Sequence, residues 1–325
     1  MRSLCAVIVA FLAGSLLHSQ TEQSHRPTGR LIDVGGRKLH LDCSGKGSPA
    51  VVLEAGGGAY AIDWAMVQPR IAETTRVCSY DRAGLGWSDP GPEDETVEQT
   101  VGDLHKLLSA AGEKGPYILV GASVGGAFIR AYQRSFPGDV AALVFTNSAN
   151  PIGLKTAGKS DLIWRLSEYE IRSAYPLPAS AKGPEPSHEG APFDRLPPEL
   201  QETRLWFDRR HWARWNPATE SADATLSWRK EFLREFDEAA KSASPLGRLP
   251  VVVVASNPVL GRPECQSQNT AAACLDFLSA NTVHIIAEGS GHEIHLFQPD
   301  TVVKALLQVV AAVRDKVPLT RAIQP

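Results

Sequence analysis

Net charge is nearly missing from this sequence: 33 basic residues against 36 acidic ones leave −3 over 325 positions. Such a balance offers no electrostatic footprint for a nucleic-acid partner or an anionic membrane surface. Cysteine is scarce as well. Five are present, none in a C-x-x-C pair and none beside histidines at metal-ligand spacing, so neither a metal nor another cofactor is expected. Charged residues amount to only 21% against 43% hydrophobic ones, which excludes a mostly disordered chain. No solenoid, collagen or coiled-coil period runs through it.

Long hydrophobic runs are confined to the start. Arg2 precedes an uncharged, mostly apolar stretch from Leu4 to Leu17, followed by small and polar residues from His18 to Thr28. A bilayer span needs about 20 apolar residues, and this stretch is shorter. Its charged start, apolar middle and small-residue end fit an export signal over residues 1–20, with Ser19 a candidate last residue before cleavage. The mature chain is then expected to be periplasmic or secreted, with no stable membrane span. Export leaves Cys43, Cys78, Cys265 and Cys274, an even number that permits disulfides in an oxidising compartment. Cys265 and Cys274, close together in a polar segment, are the favoured pair. Cys43 and Cys78 lie in strand-like sequence and read equally well as buried free thiols.

The remainder alternates. Arg30–Val34 and Lys38–Cys43 flank Gly35-Gly36 as a hairpin. Short apolar runs at 50–54, 76–80, 117–120, 140–145, 251–255 and 282–286 read as buried strands. Between them, helical spacing is expected over 63–74, over 97–111 with Gly112 as its stop, from 125 to about Phe136, over 270–278 and from Pro299 to about Arg314. Strands alternating with helices predict an α/β class: a mostly parallel eight-stranded sheet with helices on both faces.

The alternation fails between about Asn150 and Arg248, where no buried strand is visible. This stretch holds five of the seven tryptophans and an amphipathic pattern at Leu226, Leu233, Phe236 and Ala240. It is expected to form a helical cap over 148–248, with 21–147 and 249–325 as the core. The tryptophans suit the walls of an apolar pocket and suit packing of the cap equally well.

Gly121-Ala122-Ser123-Val124-Gly125 is a G-x-S-x-G pentapeptide between an expected strand and an expected helix. A serine on that sharp turn projects its Oγ above the sheet, and the turn requires small neighbours. Serine is a weak nucleophile at neutral pH and needs a base. His292, behind Gly289-Ser290-Gly291 and after the last strand, has the right position and chain order; His295 is the nearest competitor. Backbone N–H groups of Val124 and of Gly57, with Gly58 beside it, are expected to hold an oxyanion.

Together, Glu54-Ala55-Gly56-Gly57-Gly58, Tyr80-Asp81-Arg82-Ala83-Gly84-Leu85-Gly86-Trp87-Ser88-Asp89, the Ser123 pentapeptide and Gly291-His292 resemble the α/β-hydrolase family. The branch is that of serine esterases and prolyl iminopeptidases, and the resemblance spans about Arg30 to Arg314. It implies a sheet of eight strands, a helical cap and a catalytic acid. The two positions where the family carries that acid read Ser256-Asn257-Pro258-Val259 and Phe145-Thr146-Asn147-Ser148, without a carboxylate. Glu264 and Asn147 remain equal candidates for orienting the imidazole, with Asp276 behind them. A serine nucleophile favours acyl transfer to water, and a carboxylic ester of a small apolar alcohol or acid is the expected substrate. An iminopeptidase would use a cap carboxylate for the substrate amine, with Glu168, Glu170, Glu202 and Glu220 as candidates. The missing acid leaves a non-catalytic, hydrolase-like binding protein as the competing class.

Overall fold

Runs of valine, leucine and isoleucine too short for helices become strands when both faces can be covered. In the computed structural model this happens six times in parallel. The structure describes residues 25–91, 96–148, 186–187, 190–214, 244–256 and 279–319. Within them, β1 (Arg30–Asp33), β2 (Lys38–Ser44), β3 (Ala50–Glu54), β4 (Val77–Tyr80), β5 (Tyr117–Ala122), β6 (Val140–Thr146), β7 (Val251–Ala255) and β8 (Thr282–Ile286) form one sheet in the order β1-β2-β4-β3-β5-β6-β7-β8. β1–β2 and β2–β4 pair antiparallel, and every other pairing is parallel. All residues of β3, β5 and β7 are buried, as strands covered on both faces require. The expected eight-stranded α/β class is what the chain adopts.

Helices α1 (Gln68–Ala72), α2 (Val97–Ala111), α3 (Gly125–Ser135), α4 (Pro198–Arg214), α5 (Ile294–Phe297) and α6 (Pro299–Asp315) complete the described elements. Val101, Leu104, Leu107 and Leu108 of α2 join Ile129 and Tyr132 of α3 on one face of the sheet. On the other face, Ile71 of α1 meets Val302, Leu306, Val309 and Val310 of α6. Each such buried side chain contributes roughly 1.5–3 kcal/mol. Thr96 caps α2 by accepting from the Gln99 N–H, and Gly112 ends it at φ +79°. No helix among the described residues is long and apolar enough to cross a membrane.

One expectation needs correction and one open alternative is resolved. The single helix over 63–74 is a 3-10 turn at Ala61–Trp64 followed by the short α1. Pro69 lacks an N–H and restricts the residue before it, so it opens a helix better than it continues one. Cys43 and Cys78 are not free thiols but a disulfide. The β2–β4 register sets them directly opposite each other, a pairing that strand-like sequence alone does not reveal. The favoured Cys265–Cys274 pair and the helix over 270–278 lie outside the described residues.

After β3 the chain turns to β4 on one side of it and then returns to β5 on the other. That reversal opens a crevice above the carboxyl ends of β3 and β5, where open α/β sheets bind ligands. The insert between β6 and β7 is described only in part. Its helix α4 reaches the core through Phe207, whose ring lies 4.8 Å from that of Tyr60 and 4.7 Å from that of Trp87. Beside this contact, Arg204 Nε donates to Asp63 Oδ1 at 3.0 Å and its Nη1 to Asp208 Oδ2 at 2.7 Å. The Tyr60 hydroxyl donates to Asp208 at 2.7 Å.

Candidate active site

Ser123 stands between β5 and α3 at φ +52°, a left-handed conformation that costs a non-glycine residue on the order of 1–3 kcal/mol. The surrounding structure holds it there. The Ser123 N–H donates to the Thr146 carbonyl at 3.1 Å, and the Gly126 N–H closes the turn on the Ser123 carbonyl at 3.1 Å. Both glycines of the pentapeptide are required by space. A Cβ on Gly121 would lie 2.6 Å from the Gly125 carbonyl oxygen, and one on Gly125 would lie 2.8 Å from that of Ala55.

The Gly56–Gly58 loop passes in front of this turn. A Cβ on Gly56 would lie 3.3 Å from Ser123 Cβ, and one on Gly57 would lie 3.5 Å from Val124 Cγ1. Among the described residues, no protein acceptor takes the N–H of Gly57 or of Val124. Two donors without a protein acceptor beside a half-buried serine are what a developing oxyanion needs.

His292 lies on the turn after β8. A Cβ on Gly291 would lie 2.1 Å from the Phe297 ring, which would have to swing aside to admit it. The His292 ring is exposed and has no hydrogen bond among the described residues, to Ser123 or to any carboxylate. Its backbone, by contrast, is tied down by Asn147. The Asn147 Nδ2 donates to the His292 carbonyl at 2.9 Å, and its Oδ1 accepts from the Ser256 N–H at 3.0 Å. Since the Thr146 carbonyl accepts the Ser123 N–H, the Ser123 turn and the His292 loop are braced by two consecutive residues, the last of β6 and the first beyond it. Asn147 therefore holds the histidine loop and not the imidazole. Glu264 and Asp276 lie outside the described residues.

His295 does not compete with His292. It is buried, stacks on Trp64 with ring centroids 4.4 Å apart, and is pushed down to about 3 by burial and then by the nearby His292. It stays a neutral packing residue at any ordinary pH. Of the cap carboxylates, Glu202 is exposed on α4, and Glu168, Glu170 and Glu220 lie outside the described residues. Trp206 stacks on His25 with centroids 4.9 Å apart, a packing role. A cavity of about 410 Å³ opens beside Asp42, Ala61, Ile62 and Gln68 and includes neither Ser123 nor His292.

Sequence reasoning passed over Glu54 and Arg82 as working residues. Glu54 is fully buried at the end of β3, where burial pushes its carboxyl up while Arg82 opposes the rise. Arg82 Nη1 donates to Glu54 Oε1 at 2.5 Å, and the Tyr80 hydroxyl donates to the other carboxylate oxygen. The available signal was a carboxylate ending an otherwise apolar five-residue strand, since a buried charge implies a partner.

A three-layer sandwich whose left-handed Ser123 turn faces a glycine loop across the strand-order reversal is the layout of an α/β hydrolase. The chain belongs to that family: the model of the alpha/beta hydrolase family matches residues 51–305. Among curated relatives, a probable transporter, efuK, of Hormonema carpetanum is 37% identical over 41% of this chain and 20% of its own length. The 2-hydroxymuconate semialdehyde hydrolase of a Pseudomonas species is 30% identical over 44% of this chain and 50% of its own. The chain thus spans well under two thirds of these relatives. A solved structure, the thermophilic esterase of Thermogutta terrifontis, covers 87% of this chain and 97% of its own at 18% identity and a TM-score of 0.57, which shows the shared fold.

Proposed function

We propose that the protein is an exported serine hydrolase that cleaves a carboxylic ester of a small apolar substrate through an acyl-enzyme. The observation that carries this reading is the left-handed Ser123 turn facing the unused N–H groups of Gly57 and Val124. Ser123 Oγ attacks the ester carbonyl while His292 takes its proton. The resulting oxyanion rests on the Gly57 and Val124 N–H groups. The tetrahedral species then expels the alcohol, which receives the proton from His292. Water, deprotonated by His292, attacks the acyl-Ser123 ester and releases the acid and the free serine. Glu264 and Asp276, both outside the described residues, are the carboxylate candidates for orienting the imidazole. Export is supported by the leader-like start and by the Cys43–Cys78 disulfide, a bond typical of oxidising compartments.

The test is hydrolysis of p-nitrophenyl acetate and butyrate, with a fluorophosphonate label on the serine. Wild type is expected to hydrolyse and to be labelled, and Ser123→Ala to do neither. Faster turnover of proline p-nitroanilide than of the esters would move the reading to an iminopeptidase-like amide hydrolase. One observation favours a second class: no carboxylate among the described residues bonds the His292 ring. An unlabelled, inactive wild type would establish the non-catalytic binding protein instead.

A further inference from the structure

The guanidinium of Arg82 does more than neutralise Glu54. Its Nη1 donates to the Ala55 carbonyl at 2.7 Å and its Nη2 to the Gly56 carbonyl at 2.6 Å. These are two successive peptide units of the loop that faces Ser123. In a trans peptide the N–H points opposite to the C=O. Drawing the Gly56 carbonyl inward onto Arg82 therefore turns the N–H of Gly57 outward, away from the guanidinium. A glycine loop has no side chains to fix that orientation. The Arg82 fork supplies it, alongside a long turn bond from the Ala59 N–H to the Gly56 carbonyl at 3.3 Å, and the buried Glu54 carboxylate fixes the fork. The same guanidinium lies 5.1 Å from the ring centre of Phe128 on α3, so one group references the loop to the helix that follows the nucleophile.

We propose that Arg82, held by Glu54, is a positioning residue for the proposed esterase reaction: it aims the Gly57 N–H at the oxygen that becomes negative when Ser123 attacks. The proposal rests on the serine-hydrolase reading of the site. It assigns work to a buried charged pair that the proton-transfer chemistry leaves unused, and it explains why a strand covered on both faces ends in glutamate. Lysine in place of Arg82 keeps the charge but cannot fork across two carbonyls.

The experiment compares wild type with Arg82→Lys and Glu54→Gln on p-nitrophenyl acetate. It also measures the affinity of each for phenylboronic acid, which forms a tetrahedral anion on the serine, and for acetate, the planar product. Losing one oxyanion donor lowers kcat by about 10²–10³-fold. Arg82→Lys is expected to lower kcat by roughly 10²-fold and boronate affinity in parallel. KM and acetate affinity should stay within about threefold. Glu54→Gln is expected to give the same selective loss, smaller in size. A folded Arg82→Lys with unchanged kcat overturns the proposal. So does one that loses acetate and boronate affinity equally, the mark of a merely structural role. If Arg82→Lys yields no soluble protein, Glu54→Gln carries the same comparison, and unchanged boronate affinity there overturns it. An inactive, unlabelled wild type removes the hydrolase reading and this one with it; an active wild type matched by Arg82→Lys removes this one alone.

Discussion

Replacing Arg204 by methionine removes the guanidinium 3.0 Å from Asp63 Oδ1 and keeps much of the side chain's apolar bulk. Asp63 is fully buried, and burial pushes its carboxyl up to about 6 although Arg204 pulls it down. Against an ordinary value of 3.8, this rise makes Asp63 cost the folded state roughly 3 kcal/mol at neutral pH. An acid whose pKa rises on folding binds its proton more tightly when folded. The cost is therefore present above about pH 6 and is relieved as pH falls from there towards 3.8. Without Arg204, the ionised carboxylate is buried without its cation, which costs about 3–5 kcal/mol. At pH 5 the proton already neutralises Asp63, and the loss falls to the contact with the half-exposed Asp208 and the stacking of the guanidinium over Phe193 and Tyr60, together about 1–2 kcal/mol. Urea unfolding of both proteins at pH 8 and pH 5 measures the two deficits. A deficit of the same size at the two pH values would refute the coupling of Arg204 to a buried ionised Asp63.

Other outcomes follow from the same geometry. Asn147→Asp is expected to lower kcat and thermal stability, although it introduces a carboxylate near the histidine, because it replaces the donor that holds the His292 carbonyl with an acceptor; p-nitrophenyl acetate kinetics and a melting curve check this, and a gain in kcat would reverse it. Gly121→Ala drives a Cβ to 2.6 Å from a backbone oxygen and should cost about 1–3 kcal/mol, read as a lower urea midpoint. Replacing Cys43 and Cys78 together by alanine opens a loop of sequence separation 35 and should destabilise by up to about 4 kcal/mol. Mass spectrometry of the native protein should find the two thiols blocked to alkylation before reduction.

The strands were legible because a buried strand leaves a plain signal: a short, mostly apolar run such as Val251–Ala255, bounded by turn residues. The Ser123 turn was legible because its chemistry demands glycines at fixed offsets, and the structure shows each of them pressed against backbone. Pro69 hid the break in the helix over 63–74 only because apolar spacing continues through it. The Cys43–Cys78 pairing depends on the register between strands 35 residues apart, which no local pattern encodes. Glu54–Arg82 and Asp63–Arg204 escaped for a related reason. Periodicity registers which positions are apolar, while a buried charge depends on a partner brought in by the tertiary fold. The role of Asn147 needed the side chain's direction, which sequence does not contain.

The Cys43–Cys78 bond closes a covalent ring, and the Gly56–Gly58 loop lies inside it. That ring is not independent of the insert between β6 and β7: Arg204 and Asp208 of α4 bond Asp63 and Tyr60, both inside it. A foreign insert would have to bring its own cation for the buried Asp63 and its own acceptor for the Tyr60 hydroxyl, so lids on this chassis can be traded only together with those contacts.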